Sequence, residues 1–204
     1  SRTIRAVIFD LGGVIVRTAD FGPRQRLAEQ YGMTLNELMD LVFAHEAGRR
    51  AQLGEVTIAQ QWEHVRQVLD LTQPQLKSFQ EIFWQMDFVD FELVDTLRNL
   101  RRTMRTALLS NAFDDLRRVI TDEWKFADAF DEMIISAEVG LMKPDPRIYR
   151  LALEEMAARA EESVFIDDVL ANIEAARAVG MHGIHFTQPQ AALDELKQLL
   201  ANHR

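Results

Sequence analysis

The stretch Ala6-Val7-Ile8-Phe9-Asp10-Leu11-Gly12-Gly13-Val14-Ile15-Val16 constrains the fold of this chain more than any other. Val7, Ile8 and Phe9 do not alternate with polar residues. They therefore read as a strand buried on both faces, which calls for a parallel sheet covered by helices on each side. Asp10 ends the run at the carboxyl edge of that strand, where open parallel sheets bind their ligands. Gly12 and Gly13 let the chain turn sharply and bring its backbone close to a ligand. Taken alone, Asp10 reads equally as an N-cap closing a strand–turn unit.

The rest of the chain divides into two patterns. Residues 21–88 show helical periodicity and no strand. Pro23 suits a first helical turn, with Leu27 and Tyr31 on one face, and Gly32 stops that helix. Thr34 and Glu37 form a capping box for a second helix, striped by Leu35, Leu38, Met39, Val42 and Phe43. Gly48 and Gly54 bracket a polar turn, Arg49-Arg50-Ala51-Gln52. Thr57 opens a third helix and Pro74 a fourth, which carry Trp62, Val65, Leu76, Phe79 and Phe83. From residue 89 onward strands alternate with helices. Strands are predicted at 106–110, 132–136, 163–166 and 183–186, and helices at 92–102, 113–124, 147–156, 173–179 and 191–200. Alternation of this kind predicts an α/β fold with a doubly wound parallel sheet. A four-helix cap is inserted after its first strand, over the strand ends. The expected domains are an α/β core, 1–16 and 89–204, and a helical cap, 17–88.

Composition narrows the partners. The 204 residues carry a formal charge of −9, which repels nucleic-acid backbones and anionic membranes, so neither is expected as a partner. Arg98, Arg101, Arg102 and Arg105 read as the solvated face of a helix rather than a binding patch. No apolar run approaches the ~18 residues of a membrane span. With no cysteine, disulfides, thiolate metal sites and cysteine nucleophiles are excluded, and a reducing cytoplasm is the expected location. Ser1-Arg2-Thr3-Ile4-Arg5 runs straight into the first strand without a leader.

Polar residues recur at the ends of the predicted strands. Asp10 follows the first, Ser110 and Asn111 the second, and Asp167 and Asp168 a later one, while Lys143 lies in the loop after the strand ending at Ser136. In a parallel sheet all of these lie on one edge and can meet. Each has a plainer reading: Ser110 and Asn111 as helix caps, Lys143 as a solvated loop lysine. The adjacent pair Asp167-Asp168 is harder to explain without a cation or donor between the two acids. Carboxylates without His or Cys suit Mg²⁺, and Mg²⁺ with a lysine suits a phosphoryl group. Ser110 and backbone N–H groups near Asn111 would bind its oxygens, and Asp10 would attack phosphorus to form an aspartyl-phosphate. His182 and His185 flank a strand and read as structural or surface groups.

In order along the chain, Phe9-Asp10-Leu11-Gly12-Gly13-Val14, Leu109-Ser110-Asn111, Gly140-Leu141-Met142-Lys143-Pro144-Asp145 and Phe165-Ile166-Asp167-Asp168 with Asn172 resemble the four motifs of the haloacid dehalogenase-like hydrolase superfamily. The helical insertion is similar to that family's small cap. The resemblance implies Asp10 as nucleophile, Ser110 and Asn111 as phosphate-binding, and Lys143 as the cation neutralising phosphate and nucleophile. It implies Asp10, the Gly12 carbonyl, Asp168 and Asp167 as the Mg²⁺ site. Within the family the motif forms resemble bacterial sugar-phosphate phosphatases of the glucose-1-phosphate type. Most phosphatases of the family carry an acid two residues after the nucleophile, and here that position is Gly12. The expected function is a Mg²⁺-dependent phosphatase acting on a small phosphorylated metabolite with a good leaving group. Glu46, Arg49 and Arg50 are candidates for specificity, and a monomer or homodimer is expected. The alternatives are a 2-haloacid dehalogenase, or a non-catalytic metabolite-binding member of the family.

Overall fold

The computed structural model describes residues 3–203, so the start read at Ser1 and Arg2 lies outside it. Strand β1 (Ala6–Phe9) leads through β2 (Val16–Thr18) into helices α1 (Gly22–Gln30), α2 (Leu35–Met39), α3 (Glu46–Gln52), α4 (Ile58–Val68) and α5 (Gln73–Trp84). A π-helical stretch, Asp40–Ala44, continues α2. Strand β3 (Asp87–Val89) and helix α6 (Phe91–Leu100) return the chain to β4 (Arg105–Ser110) and α7 (Leu116–Arg118). Then follow β5 (Glu132–Ile135), α8 (Ser136–Val139), α9 (Pro146–Glu155), β6 (Ser163–Asp167), α10 (Leu170–Val179), β7 (His182–His185) and α11 (Pro189–Asn202).

The main sheet is parallel, in the order β5-β4-β1-β6-β7, with β1 at its centre. Alternate residues feed two cores. Val7, Phe9, Leu108 and Ile166 pack with Leu93 and Leu97 of α6 and Leu196 of α11. Ala6, Ile8, Leu109 and Phe165 pack with Tyr149 of α9 and Ile173 of α10. Both faces of the sheet are thus covered, and the uninterrupted apolar strands follow from that. Phe9 pairs with Leu108 on one side and with Ile166 on the other. Asp10, just past β1, and Asp167, the last residue of β6, therefore stand side by side at the carboxyl edge.

The inserted helices form a third core of their own. Leu27, Leu38, Val42, Trp62, Val65, Phe79 and Phe83 are all buried in it. Thr34, Thr57 and Thr72 each cap a helix with a Glu or Gln three positions on, in a reciprocal capping box. Each such cap stabilises its helix by about 1 kcal/mol. No helix among the described residues is long and apolar enough to cross a membrane.

Three features differ from the sequence reading. Residues 49–52 are not a polar turn but part of α3. Gly48 lies inside that helix because a Cβ there would come within 2.8 Å of the Phe43 backbone. The glycine thus permits close packing and does not end a helix. The helix expected over 113–124 is a short α7 followed by a π-helical stretch, Val119–Glu123. Finally, β2 and β3 pair antiparallel at both ends of the helical insertion, Arg17 opposite Phe88. Strands of three residues carry no readable alternation. Thr18 to Asp87 at 2.6 Å and Arg17 to Asp90 at 2.7 Å hold this ribbon together.

Candidate active site

The groups at the carboxyl edge are held by one another. The Lys143 ammonium donates to Asp10 Oδ1 and Asp167 Oδ2, each at 2.8 Å, and to the Leu109 carbonyl at 3.0 Å. Its three protons are thereby all used. Asp10 Oδ1 also accepts the Leu11 N–H at 2.8 Å. Asp167 accepts the Val169 N–H at 2.7 Å and the Asn172 amide at 3.1 Å. Tyr149, under the sheet, donates its hydroxyl to the Asn172 carbonyl at 2.9 Å. Asp10, Lys143, Asp167 and Ser110 are all buried.

The loops that carry these groups are tied together. Asn111 accepts the Lys143 N–H at 2.8 Å through Oδ1 and donates its amide to the Lys143 carbonyl at 2.9 Å. Both ends of this side chain thus fix the lysine loop. Next to it, the Ala112 N–H donates to the Ser136 hydroxyl at 2.9 Å, and that hydroxyl donates back to the Ala112 carbonyl at 3.1 Å. His185 meets the Asp168 carbonyl at 2.9 Å through Nε2.

The two glycines after Asp10 have different surroundings. Gly13 takes φ +80°, and a Cβ there would overlap the Asp168 carboxylate. Only glycine fits at that position. Gly12 has no positive φ, and a Cβ there would meet nothing within 4 Å.

Charge in the site is unbalanced. Asp10, Asp167 and Asp168 offer oxygens that all lie within 4.8 Å of one another, against the single ammonium of Lys143. Burial pushes the Asp10 carboxyl up to about 7 against the pull of Lys143, with Asp167 and Asp168 adding to the rise. Burial, then Asp167, raises Asp168 as well. Burial alone would lower Lys143, but Asp10 and Asp167 outweigh it and hold it above its ordinary value, so it stays an ammonium. The three crowded carboxylates form a hard, oxygen-only donor set that fits a divalent cation such as Mg²⁺.

Glu46, Arg49 and Arg50 lie on α3 and are exposed. Arg50 pairs with Glu55 at 2.9 Å. No hydrogen bond or ion pair among the described residues joins these three to the strand-end cluster. The helical insertion instead reaches the core through other groups. A Cβ on Gly54 would overlap the Ala137 carbonyl, and the Ile58 N–H donates to Asp114 at 3.1 Å. The ring of Phe43 stacks on Phe113, centroids 5.8 Å apart. Phe43 had read only as part of an apolar helix stripe, and nothing in the sequence pairs it with Phe113.

The profile of the haloacid dehalogenase-like hydrolases matches residues 4–180. The sesquiterpene phosphatase astK of Aspergillus oryzae is 28% identical over 203 residues, covering 97% of each chain. The bifunctional epoxide hydrolase 2 of Sus scrofa is 28% identical over 96% of this chain, which spans 39% of the length of that protein. A haloacid dehalogenase family enzyme of Bacteroides thetaiotaomicron, solved with magnesium and inorganic phosphate, superposes with a TM-score of 0.74 at 21% identity. That superposition covers 89% of this chain and 93% of the other. The profile match takes in every strand-end loop that meets at Lys143, and the chain belongs to the haloacid dehalogenase-like hydrolases.

Proposed function

We propose that this hydrolase is a Mg²⁺-dependent phosphatase that cleaves a small phosphate monoester through an aspartyl-phosphate on Asp10. The observation that carries this reading is the Lys143 ammonium bridging Asp10 and Asp167, beside a third carboxylate, Asp168. Asp10, Asp168 and the Gly12 carbonyl would hold the cation, with Asp167 behind them. When bound, Mg²⁺ supplies positive charge to the phosphoryl oxygens and keeps Asp10 ionised. Lys143 sets its positive charge against the negative charges of Asp10 and the phosphoryl group, the Ser110 hydroxyl binds a phosphoryl oxygen, and Asn111 positions Lys143.

An Asp10 oxygen forms a bond to phosphorus while the bond from phosphorus to the leaving oxygen breaks. Water then attacks phosphorus, which frees inorganic phosphate and restores the carboxylate. Gly12 offers no proton to the departing oxygen. General acid–base help is worth about 10²–10⁴-fold, so leaving groups that depart unprotonated are favoured. Acyl phosphates and anomeric sugar phosphates meet that condition. The ribbon of β2 and β3 is the natural hinge between a core of 1–16 and 89–204 and a cap of 17–88.

The test is phosphate release from acetyl phosphate, glucose 1-phosphate and glycerol phosphate, with Mg²⁺ and with EDTA. Activity is expected only with Mg²⁺, and Asp10→Asn is expected to lower it at least ~10³-fold. Undiminished turnover in Asp10→Asn refutes the reading. Chloride release from 2-chloropropionate without Mg²⁺ would indicate a dehalogenase instead.

A further inference from the structure

We propose that the organic group of the substrate is apolar. Phe43 and Trp84 of the cap would receive it where Phe43 covers the buried ring of Phe113 of the core, with Val169 and Leu170 contributed by the start of α10. This inference rests on the phosphatase reading.

Phe113 lies three residues beyond Ser110, within about 10 Å of extended chain. Asn111 and Ala112 pin the intervening loop to Lys143 and Ser136, so Phe113 is a fixed part of the strand-end edge. Phe43 lies nearly parallel to it, 11° between the rings, and Trp84 meets Phe43 edge-on with centroids 6.0 Å apart. Trp84 keeps 38% of its surface exposed. Aromatic surface from both layers thus meets where the cap touches the loop that carries Ser110.

Phe43 is held with unusual care. It lies in the π-helical stretch Asp40–Ala44, three successive carbonyls of which accept from side chains of neighbouring helices. Gln61 donates to the Leu41 carbonyl at 3.1 Å and the Val42 carbonyl at 2.8 Å, and Gln52 donates to the Phe43 carbonyl at 2.7 Å. Gln61 does so although its own buried Oε1 is left without a partner. An unsatisfied buried acceptor is a cost natural structures rarely carry. Here it fixes the backbone that presents Phe43.

The start of α10 breaks a local rule in the same direction. Val169 and Leu170 directly follow Asp167-Asp168 and open α10 with no side-chain cap. Polar residues are preferred at that position, and these two are 46% and 48% exposed. Exposed aliphatic groups beside buried carboxylates are a local conflict of the kind that marks function. Gly12 lies two residues after Asp10, and a Cβ there would meet nothing within 4 Å. A sugar would need fixed polar partners for its hydroxyls. The fixed polar side chains beside Phe43, Gln52 and Gln61, spend their donors on the cap backbone, and Arg50 is paired with Glu55.

The experiment measures kcat/KM with Mg²⁺ for phenyl phosphate, farnesyl phosphate, glucose 1-phosphate and acetyl phosphate. At least one apolar ester is expected to exceed glucose 1-phosphate by tenfold or more. Phe43→Ala and Leu170→Gln are each expected to lower the ratio of apolar ester to acetyl phosphate about tenfold, mainly through KM. Leu170 is half exposed, so its replacement leaves the core filled and keeps the test open if Phe43→Ala fails to fold. Hydrolysis with glucose 1-phosphate preferred overturns this inference and leaves the phosphatase reading standing. An apolar preference that neither variant changes overturns the assignment of these residues. No phosphate from any ester, acetyl phosphate included, overturns the phosphatase reading itself.

Discussion

Two buried assemblies in this protein are built on opposite principles. At the sheet edge, Asp10, Asp167 and the Lys143 ammonium are buried together beside the more exposed Asp168, and Lys143 spends two protons on the buried carboxylates and the third on the Leu109 carbonyl. In the cap, Trp62, Phe79 and Phe83 fill a core with rings that meet edge-on or stacked. The first assembly costs stability, because charges out of water are repaid only by close partners. The second supplies it, since each buried ring removes a large apolar surface from water. The pairing shows where this fold carries the cost of its chemistry and which part offsets it.

The comparison is broken most severely at Lys143. Lys143→Met strands Asp10 and Asp167 without a counter-ion. Loss of one member of a buried pair is expected to destabilise by about 3–5 kcal/mol, read from urea unfolding, with phosphate release falling at least ~10³-fold. In the cap the same size of energy should appear without the chemistry. Phe79→Ala empties a site that is 1% exposed. It is expected to cost about 3–5 kcal/mol of stability while turnover of acetyl phosphate per folded molecule stays within threefold.

Acid titration sharpens the contrast. The Asp10 carboxyl is raised to about 7 in the folded chain, against an ordinary value of 3.8. A raised carboxyl gives stability that is full below 3.8 and is lost as pH rises through about 7. In EDTA the urea midpoint is therefore expected to fall between pH 5 and pH 7.5. Asp10→Asn should remove most of that fall, and added Mg²⁺ should reverse it. Glu63 of the cap runs the other way and more weakly. Its hydrogen bond from Arg66 lowers it to about 2, so its contribution holds above 4.5 and is lost as pH falls through 2. It lies at the surface, and Glu63→Gln at pH 7 is expected to move Tm by less than ~2 °C.

How much of this was legible in the sequence depended on whether a signal was local. The parallel sheet was readable because Val7–Phe9 and Val164–Ile166 are apolar without alternation, and each run stops at an acid. The gathering of Asp10, Lys143, Asp167 and Asp168 at one edge was readable from topology. Asn111 read as a phosphate ligand, yet its amide grips a backbone 32 residues away, a partner no local pattern could name. Gly48 read as a turn residue because the sequence does not record that Phe43 presses on it. The β2–β3 ribbon was invisible because Val16–Thr18 is too short for a period. Motif position had already set Gly12 apart, but the positive φ of Gly13 and the Asp168 carboxylate beside it leave no local trace.

That last difference bears on the history open to this chain. Gly13 is fixed by geometry, so any replacement there is removed before it can be tried. Gly12 is not. Two of the four glycine codons lie one base from an aspartate codon, and a Cβ at Gly12 would meet nothing within 4 Å. Gly12→Asp would therefore put an acid two residues after Asp10 at a position with room for its Cβ. The glycine is then a setting that selection on substrate can hold or release, on a scaffold that accommodates either state.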